Sequence, residues 1–143
     1  MKIRRAKKED IPAIAKIYRE TYSTSPYNEK WSKKSSEDKI KNYLDSVGIL
    51  VAELNKEIKS FIIFYNTPWE TAKRGEVVEF VVSEKAQRKG IGKELIKIAE
   101  NMMKKQGSKF VVLSSHKKSN AFKFYKKQGY HEDKFIQLKK KLK

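Results

Sequence analysis

Between Val77 and Leu113 the chain reads strand, glycine turn, helix, strand. Val77-Val78-Glu79-Phe80-Val81-Val82 is a strand-like run, the core of a central strand over 75–83. Gln87-Arg88-Lys89-Gly90-Ile91-Gly92 follows. A helical pattern then covers 91–105, with Ile91, Leu95, Ile98, Ala99 and Met102 inward and Gly107 as its stop. Lys109-Phe110-Val111-Val112-Leu113 has the continuous apolar character of a buried, parallel-type strand. Two strands joined through a helix pair in parallel by a right-handed crossover. This module therefore sets a parallel partner beside the central strand.

The turn inside it carries chemistry. Glycines let the backbone approach a ligand, and the first-turn N–H groups of the following helix point outward at it. Arg88, Lys89 and Lys93 add positive charge at the same end. An anion, and a diphosphate in particular, suits such a place. A plain strand–helix turn with a solvated basic tip is the alternative. The spacing is neither G-x-G-x-x-G nor the G-x-x-x-x-G-K-[ST] phosphate loop.

The rest of the chain supplies the elements around this module. Residues 9–22 read as an amphipathic helix with Ile11, Ile14, Ala15, Ile17, Tyr18 and Tyr22 near helical spacing, and Pro12 fits its first turn. Residues 23–32 are a polar loop, and a second helix is predicted from about Ser36 to Asp45. Ile49 to Leu54 and Glu57 to Tyr65 form a hairpin across Asn55-Lys56, with Thr67-Pro68-Trp69 breaking the second strand. Lys2 to Arg5 is a short first strand, Lys118 to Gln128 a last helix ended by Gly129, and Lys134 to Lys141 a final strand. The expected order is β-α-α-β-β-β-α-β-α-β in one α/β (α+β) domain over 1–143. Its sheet is central, twisted, mixed and mostly antiparallel, with about six or seven strands flanked by four helices.

Further on comes Ala121-Phe122-Lys123-Phe124-Tyr125-Lys126-Lys127-Gln128-Gly129-Tyr130. Together with Q-x-x-G-x-G at 87–92, this A-x-x-F-Y-x-x-x-G-[FY] pattern resembles the two signatures of the GNAT superfamily of N-acetyltransferases, in their order and spacing. The resemblance covers nearly the whole chain. It implies acetyl-CoA as cofactor, with its pyrophosphate on Gln87, Arg88, Lys89, Gly90, Ile91, Gly92 and Lys93. It implies pantetheine along the backbone of Phe80, Val81 and Val82, with the Val82 N–H facing the thioester carbonyl. It also implies that the central strand and strand 109–113 splay apart beyond Val82. Three departures stand out. Lys118 occupies the place of a pantetheine-holding Asn, leaving Asn120 as the candidate. Ser83-Glu84-Lys85 replaces a common proline, and a usual glycine is missing near Ser60.

Acetyl transfer to an amine needs a base for the amine, a donor for the developing oxyanion and a proton for the thiolate. Tyr125 matches the tyrosine that the family places beside the sulfur. Glu76 is the favoured base and Glu79 the second candidate. A regular strand sets these two on opposite faces, and a bulge would change that parity. The acceptor pocket is expected around Tyr27, Glu29 and Trp31, where Glu29 can bind a cationic amine and Trp31 can stack on it. This loop and the A-x-x-F-Y ending are reminiscent of the aminoglycoside 6'-N-acetyltransferase branch. The acceptor stays open between a small primary amine and a peptide N-terminus or lysine.

Composition bounds the remaining possibilities. The 143 residues contain no cysteine, two separated histidines and no bilayer-length apolar run, so no disulfide frame, metal site or membrane span is expected. No secretory leader is read, and a cytoplasmic protein is the expectation. Lys and Arg number 34 against 17 acidic residues, for a net charge of +17. Nearly all are lysine, spread over every helix, which reads as a solvated surface. Contact with nucleic acid is expected to be at most non-specific, and a homodimer is allowed. A non-catalytic acyl-CoA-binding module and a basic RNA- or ribosome-associated protein are the alternative functions.

Overall fold

The chain enters on β1 (Lys2–Arg5), and Arg4 ties this short strand to two later segments. Its guanidinium holds both oxygens of Asp10 at 2.7 and 3.0 Å and reaches Glu53 at 3.3 Å. The Arg4 hydrogen bond keeps the Asp10 carboxyl below its usual range. Asp10 thus anchors the entry to α1 (Ile11–Tyr22), which carries proline in its first turn and buries Ile11, Ile14, Ala15, Ile17 and Tyr18. The second helix, α2 (Lys33–Ser46), begins at Lys33 rather than near Ser36. Ser32 is its cap. The Ser32 hydroxyl accepts from the Ser35 N–H at 2.9 Å, and the Ser35 hydroxyl accepts from the Ser32 N–H at 3.0 Å. Reciprocal capping satisfies two otherwise orphaned donors and draws polar Lys33 to Ser35 into the helix.

This computed structural model describes residues 1–143. They form two compact units, Met1–Leu113 and Ser114–Lys143. The first unit holds the sheet: β1, then β2 (Leu50–Leu54), β3 (Glu57–Trp69), β4 (Ala72–Val82) and β5 (Ser108–Leu113), in the spatial order β1-β2-β3-β4-β5. All neighbours are antiparallel except β4 and β5, which are parallel across α3 (Ile91–Lys105), as the crossover requires. Core residues Ile14, Tyr18, Ile40, Phe61, Ile63 and Val81 gather α1 and α2 onto one face.

α3 lies on the other face. Gly75 of β4 faces it so closely that a Cβ there would collide with Met103 Sδ. This contact selects the buried stripe of α3 as Ile91, Leu95, Ile96, Ala99 and Met103, so the predicted Ile98 and Met102 are only half-buried. Strand β3 is also longer than expected, continuing through Thr67-Pro68-Trp69. β2 pairs with β3 only as far as Ile62, so Pro68 lies where β3 has an open side and needs no donor there.

The parallel ladder ends at Val77 opposite Leu113. Parting was expected beyond Val82, and it occurs earlier because β5 stops at Leu113. Residues 79–82 of β4 therefore keep β3 on one side and have no β5 partner on the other.

The second unit contains α4 (Asn120–Lys127). Ser119 caps it by accepting from the Phe122 N–H at 3.2 Å, which moves its start past the expected Lys118. The predicted final strand over Lys134 to Lys141 does not form. Residues 130–143 carry no helix or strand, and Phe135, Ile136, Leu138 and Leu142 are exposed. Ile136, Leu138 and Leu142 would share one face of a strand, but Lys140 would sit in the same row and put a charge in the apolar stripe. The mixed, mostly antiparallel fold class stands, with five strands instead of six or seven.

Candidate active site

After Val82 the backbone turns back on itself. The Ser83 N–H donates to the Lys59 carbonyl at 2.8 Å, and a short 3-10 turn covers Glu84–Ala86. The Gln87 side chain then donates to the Val82 carbonyl at 3.1 Å, closing the loop. Arg88 (φ 64°) and Gly90 (φ 79°) are left-handed. Gly90 is the N-cap of α3, and no side chain caps that helix. The first N–H groups of a helix have no partner within it, so those of Ile91, Gly92 and Lys93 are left for something else. Ile91 is buried and anchors the turn, whereas Arg88, Lys89, Gly90 and Lys93 are exposed around it. A Cβ on Gly90 would meet no protein atom within 4 Å. Its open front, free donors and positive rim suit an anion.

The two strand carboxylates come next. β4 is bulged opposite Ile63 and Phe64: Ile63 pairs with Glu79 and Phe64 with Val77, leaving Val78 extra. One inserted residue turns the odd separation of Glu76 and Glu79 into an even one, so both face α1 and α2. Tyr43 of α2 accordingly feels both charges; burial, then Glu79, then Glu76 raise its phenol above the usual range.

Their surroundings differ. Glu76 accepts a 2.6 Å hydrogen bond from the Tyr65 hydroxyl and lies 3.8 Å from the Arg74 guanidinium. Glu79 has a buried Oε2 with no hydrogen-bond partner. Burial pushes its carboxyl up to about 7; the Glu29 charge acts in the same direction, while Lys39 and the Tyr18 hydroxyl oppose it. A carboxyl poised near neutrality can accept a proton at ordinary pH. Each carboxylate has a phenol beside it, but one Glu79 oxygen has no partner, whereas Glu76 is held by both the Tyr65 hydroxyl and the Arg74 guanidinium.

Aromatic rings surround this carboxyl. Tyr18, on α1, is buried and contacts Tyr22 at 4.7 Å and Trp31 edge-on at 4.9 Å between ring centroids. Tyr22 in turn meets Tyr27 at 4.8 Å. Trp31 Nε1 donates to Glu29 Oε1 at 2.7 Å, which fixes the indole in the loop between α1 and α2. The predicted acceptor residues Tyr27, Glu29 and Trp31 are thus gathered on the Glu79 side of the sheet. Reasoning from sequence missed Tyr18, Lys39 and Tyr43. Tyr18 read as part of the apolar face of the first helix, and Lys39 read as one surface lysine among many. The only available signal was the tyrosine pair at Tyr18 and Tyr22.

In the second unit, Asn120 is the exposed first residue of α4. Tyr125 is buried and edge-on to Phe124 and Tyr130, each at 5.7 Å.

Solved structures share the fold across essentially the whole chain. A possible acetyltransferase from Clostridium difficile 630 matches with a TM-score of 0.83 at 18% identity, covering 99% of this chain and 97% of that one. A ribosomal-protein-alanine N-acetyltransferase from Brucella melitensis biovar Abortus 2308 matches at 0.79 and 16%, covering 99% of each chain. An aminoglycoside acetyltransferase from an uncultured soil metagenomic sample, in complex with sisomicin, matches at 0.76 and 18%, covering 99% and 96%. No curated protein matches the sequence. The profile of the acetyltransferase (GNAT) family matches residues 11–130, most of the chain and both signatures. The chain belongs to the acetyltransferase (GNAT) family.

Proposed function

We propose that this protein is an N-acetyltransferase that moves an acetyl group from acetyl-CoA to a primary amine by direct attack in a ternary complex. The observation that carries the reading is Glu79: a desolvated carboxyl with an unpartnered oxygen, on the strand that runs into the glycine turn. The aminoglycoside and ribosomal-protein-alanine enzymes that share the fold support an amine acceptor.

The residues present fit the cofactor. Gly90 is left-handed with open space before it, and α3 has no side-chain cap to compete for its N–H groups. Gln87, Arg88, Lys89, Gly90, Ile91, Gly92 and Lys93 are assigned the diphosphate. Phe80, Val81 and Val82, on the open length of β4, are assigned the pantetheine arm, with Asn120 as a further contact. When bound, coenzyme A supplies the acetyl group as a thioester that an amine can attack.

The chain's own groups then divide the proton work. Glu79 takes a proton from the acceptor ammonium, leaving a neutral nucleophile. Tyr18 donates a hydrogen bond to that carboxylate and holds its orientation. Glu76, engaged by Tyr65, orients that edge of the pocket instead of acting as base. Tyr125 is assigned the opposite proton, the one given to the leaving thiolate. Glu29 and Trp31 belong to the acceptor side, with Tyr27 behind them.

A thiol-release assay with acetyl-CoA and a panel of primary amines tests this directly. Release that depends on the amine, with an acid limb near pH 7 that Glu79→Gln abolishes, is the expected result. Acetyl-CoA binding by calorimetry without amine-dependent release from any acceptor would reduce the protein to a binding module.

A further inference from the structure

Most lysines of this chain are exposed, but Lys39 on α2 is half-buried among rings. Its Nζ lies 5.2 Å from the Trp31 ring centroid, 5.4 Å from that of Tyr18 and 5.8 Å from that of Tyr43. Those rings come from the α1–α2 loop, α1 and α2. All three distances fall within the range in which an aromatic face attracts a cation. The Lys39 charge also acts on Glu79, while Glu29 holds Trp31 in place. The arrangement is an ammonium cage beside the carboxyl assigned as base, and its occupant is the chain's own side chain.

We propose that Tyr18, Trp31 and Tyr43 form a binding site for a primary alkylammonium. The acceptor amine is its ligand, and Lys39 is a built-in competitor that the acceptor must displace. Calling that ligand an acceptor rests on the acetyl-transfer reading; the existence of the cage does not. The occupant defines the chemistry, because a lysine side chain is an unbranched butylammonium. The class of acceptor that fits is therefore an unbranched primary alkylamine, such as a lysine side chain or a terminal diamine.

The exchange conserves charge. Groups facing Glu79 are Lys39 and Tyr43 from α2, Tyr18 from α1 and Glu29 from the loop, with Glu76 on the same face of β4. When an incoming ammonium replaces that of Lys39, the carboxyl keeps one cationic neighbour throughout. Lys39 is tethered, so its effective concentration is high and a bare small amine competes poorly. An acceptor with additional contacts to the surrounding surface overcomes this, so the tethered lysine acts as a selectivity filter.

The test needs no cofactor. In a Trp69→Phe background Trp31 is the sole tryptophan, and its fluorescence reports on the cage. That protein and its Lys39→Met variant are titrated with n-butylammonium chloride, with n-butanol as the uncharged control. Lys39→Gln serves as a second neutral variant should the methionine disturb folding. Both neutral variants are expected to bind n-butylammonium about tenfold more tightly than the Lys39 protein, as for a site otherwise free only ~10% of the time. Butanol is expected to give no saturable change. Equal affinities with and without Lys39, or no response of Trp31, would overturn the proposal. A tightened fluorescence response without acetylation of any amine leaves the cage standing and removes the enzymatic reading. Acetylation of alkylamines with a KM unchanged in Lys39→Met does the opposite.

Discussion

The two candidate sites along β4 are built in opposite ways. Past its C-terminal end, at Gln87 to Lys93, the candidate site is made of backbone: exposed, cationic and shaped by two left-handed residues. Along its bulged middle, around Glu79, the site is made of side chains: half-buried, aromatic and acidic, and drawn from α1, α2 and the loop between them. The first presents N–H groups outward to water, and needs only a glycine and a helix start. The second works by excluding water, and needs three segments to converge. A net charge of +17 strengthens the first for any anion. At the second, desolvation dominates the carboxyl despite a lysine close by.

The sharpest test of this contrast is to remove charge without changing shape at the two carboxylates. Glu79→Gln is expected to lower turnover by about 10²- to 10⁴-fold, the usual span of a positioned general base. Its deficit should shrink as pH rises, because solution then supplies the free amine. Glu76→Gln should cost less than about tenfold, the ~1 kcal/mol of one hydrogen bond to Tyr65. pH–rate profiles of both variants decide the matter. A larger, pH-rescued deficit in Glu76→Gln would return the base to Glu76, the residue that the family resemblance favoured.

Tyr125→Phe comes next. Losing only a hydroxyl, it should keep acetyl-CoA affinity by calorimetry and lose about 10- to 1000-fold in turnover. High pH should not rescue it, since alkali supplies no proton to a thiolate. A profile parallel to that of Glu79→Gln would remove the acid assignment.

At the backbone end, substitutions must respect the left-handed conformation of Gly90. Asn and Asp tolerate it best and have nearly the same shape. Gly90→Asp should therefore weaken coenzyme A binding more than Gly90→Asn does, by at least about fivefold, the ~1 kcal/mol between like unit charges about 4 Å apart in water. Equal affinities by calorimetry would place the diphosphate elsewhere.

The same contrast explains what could be read in the sequence. The parallel crossover and the glycine turn are local: Gly90, the basic residues beside it and the periodicity of 91–105 lie within one stretch of chain. The pairing of Glu76 with Tyr65 and the bulge at Val78 depend on the β3–β4 register, which no local pattern encodes. Lys39 joins Tyr18 and Trp31 only because α1 and α2 pack together. Pro68 read as a strand breaker because the length of β2, and hence the open side of β3, was not visible. The final strand failed for a related reason: Ile136 and Leu138 share a face, but Lys140 interrupts it and no local pattern names a partner strand.

The smallest expected effect is on stability, and its sign is fixed by Glu79. Burial raises this carboxyl to about 7 in the folded protein, against an ordinary value of 4.5. The folded state therefore holds the proton more tightly than the unfolded state does. That contribution is fully present below about pH 4.5, fades between there and 7, and is gone above, where the folded chain must carry a buried charge. Glu79→Gln keeps a neutral side chain at every pH. Its Tm should exceed that of the wild type by a few degrees at pH 8, since ~1 kcal/mol moves a domain of this size by about 2–8 °C. The gap should close as the buffer is taken down to pH 5. The Asp10–Arg4 pair, with its lowered carboxyl, works in the other direction at still lower pH and is common to both proteins, so it cancels in the difference. A Tm difference that stays constant from pH 5 to pH 8 would mean that Glu79 is not desolvated. The contrast between the wet site past β4 and the dry site along it would then fail.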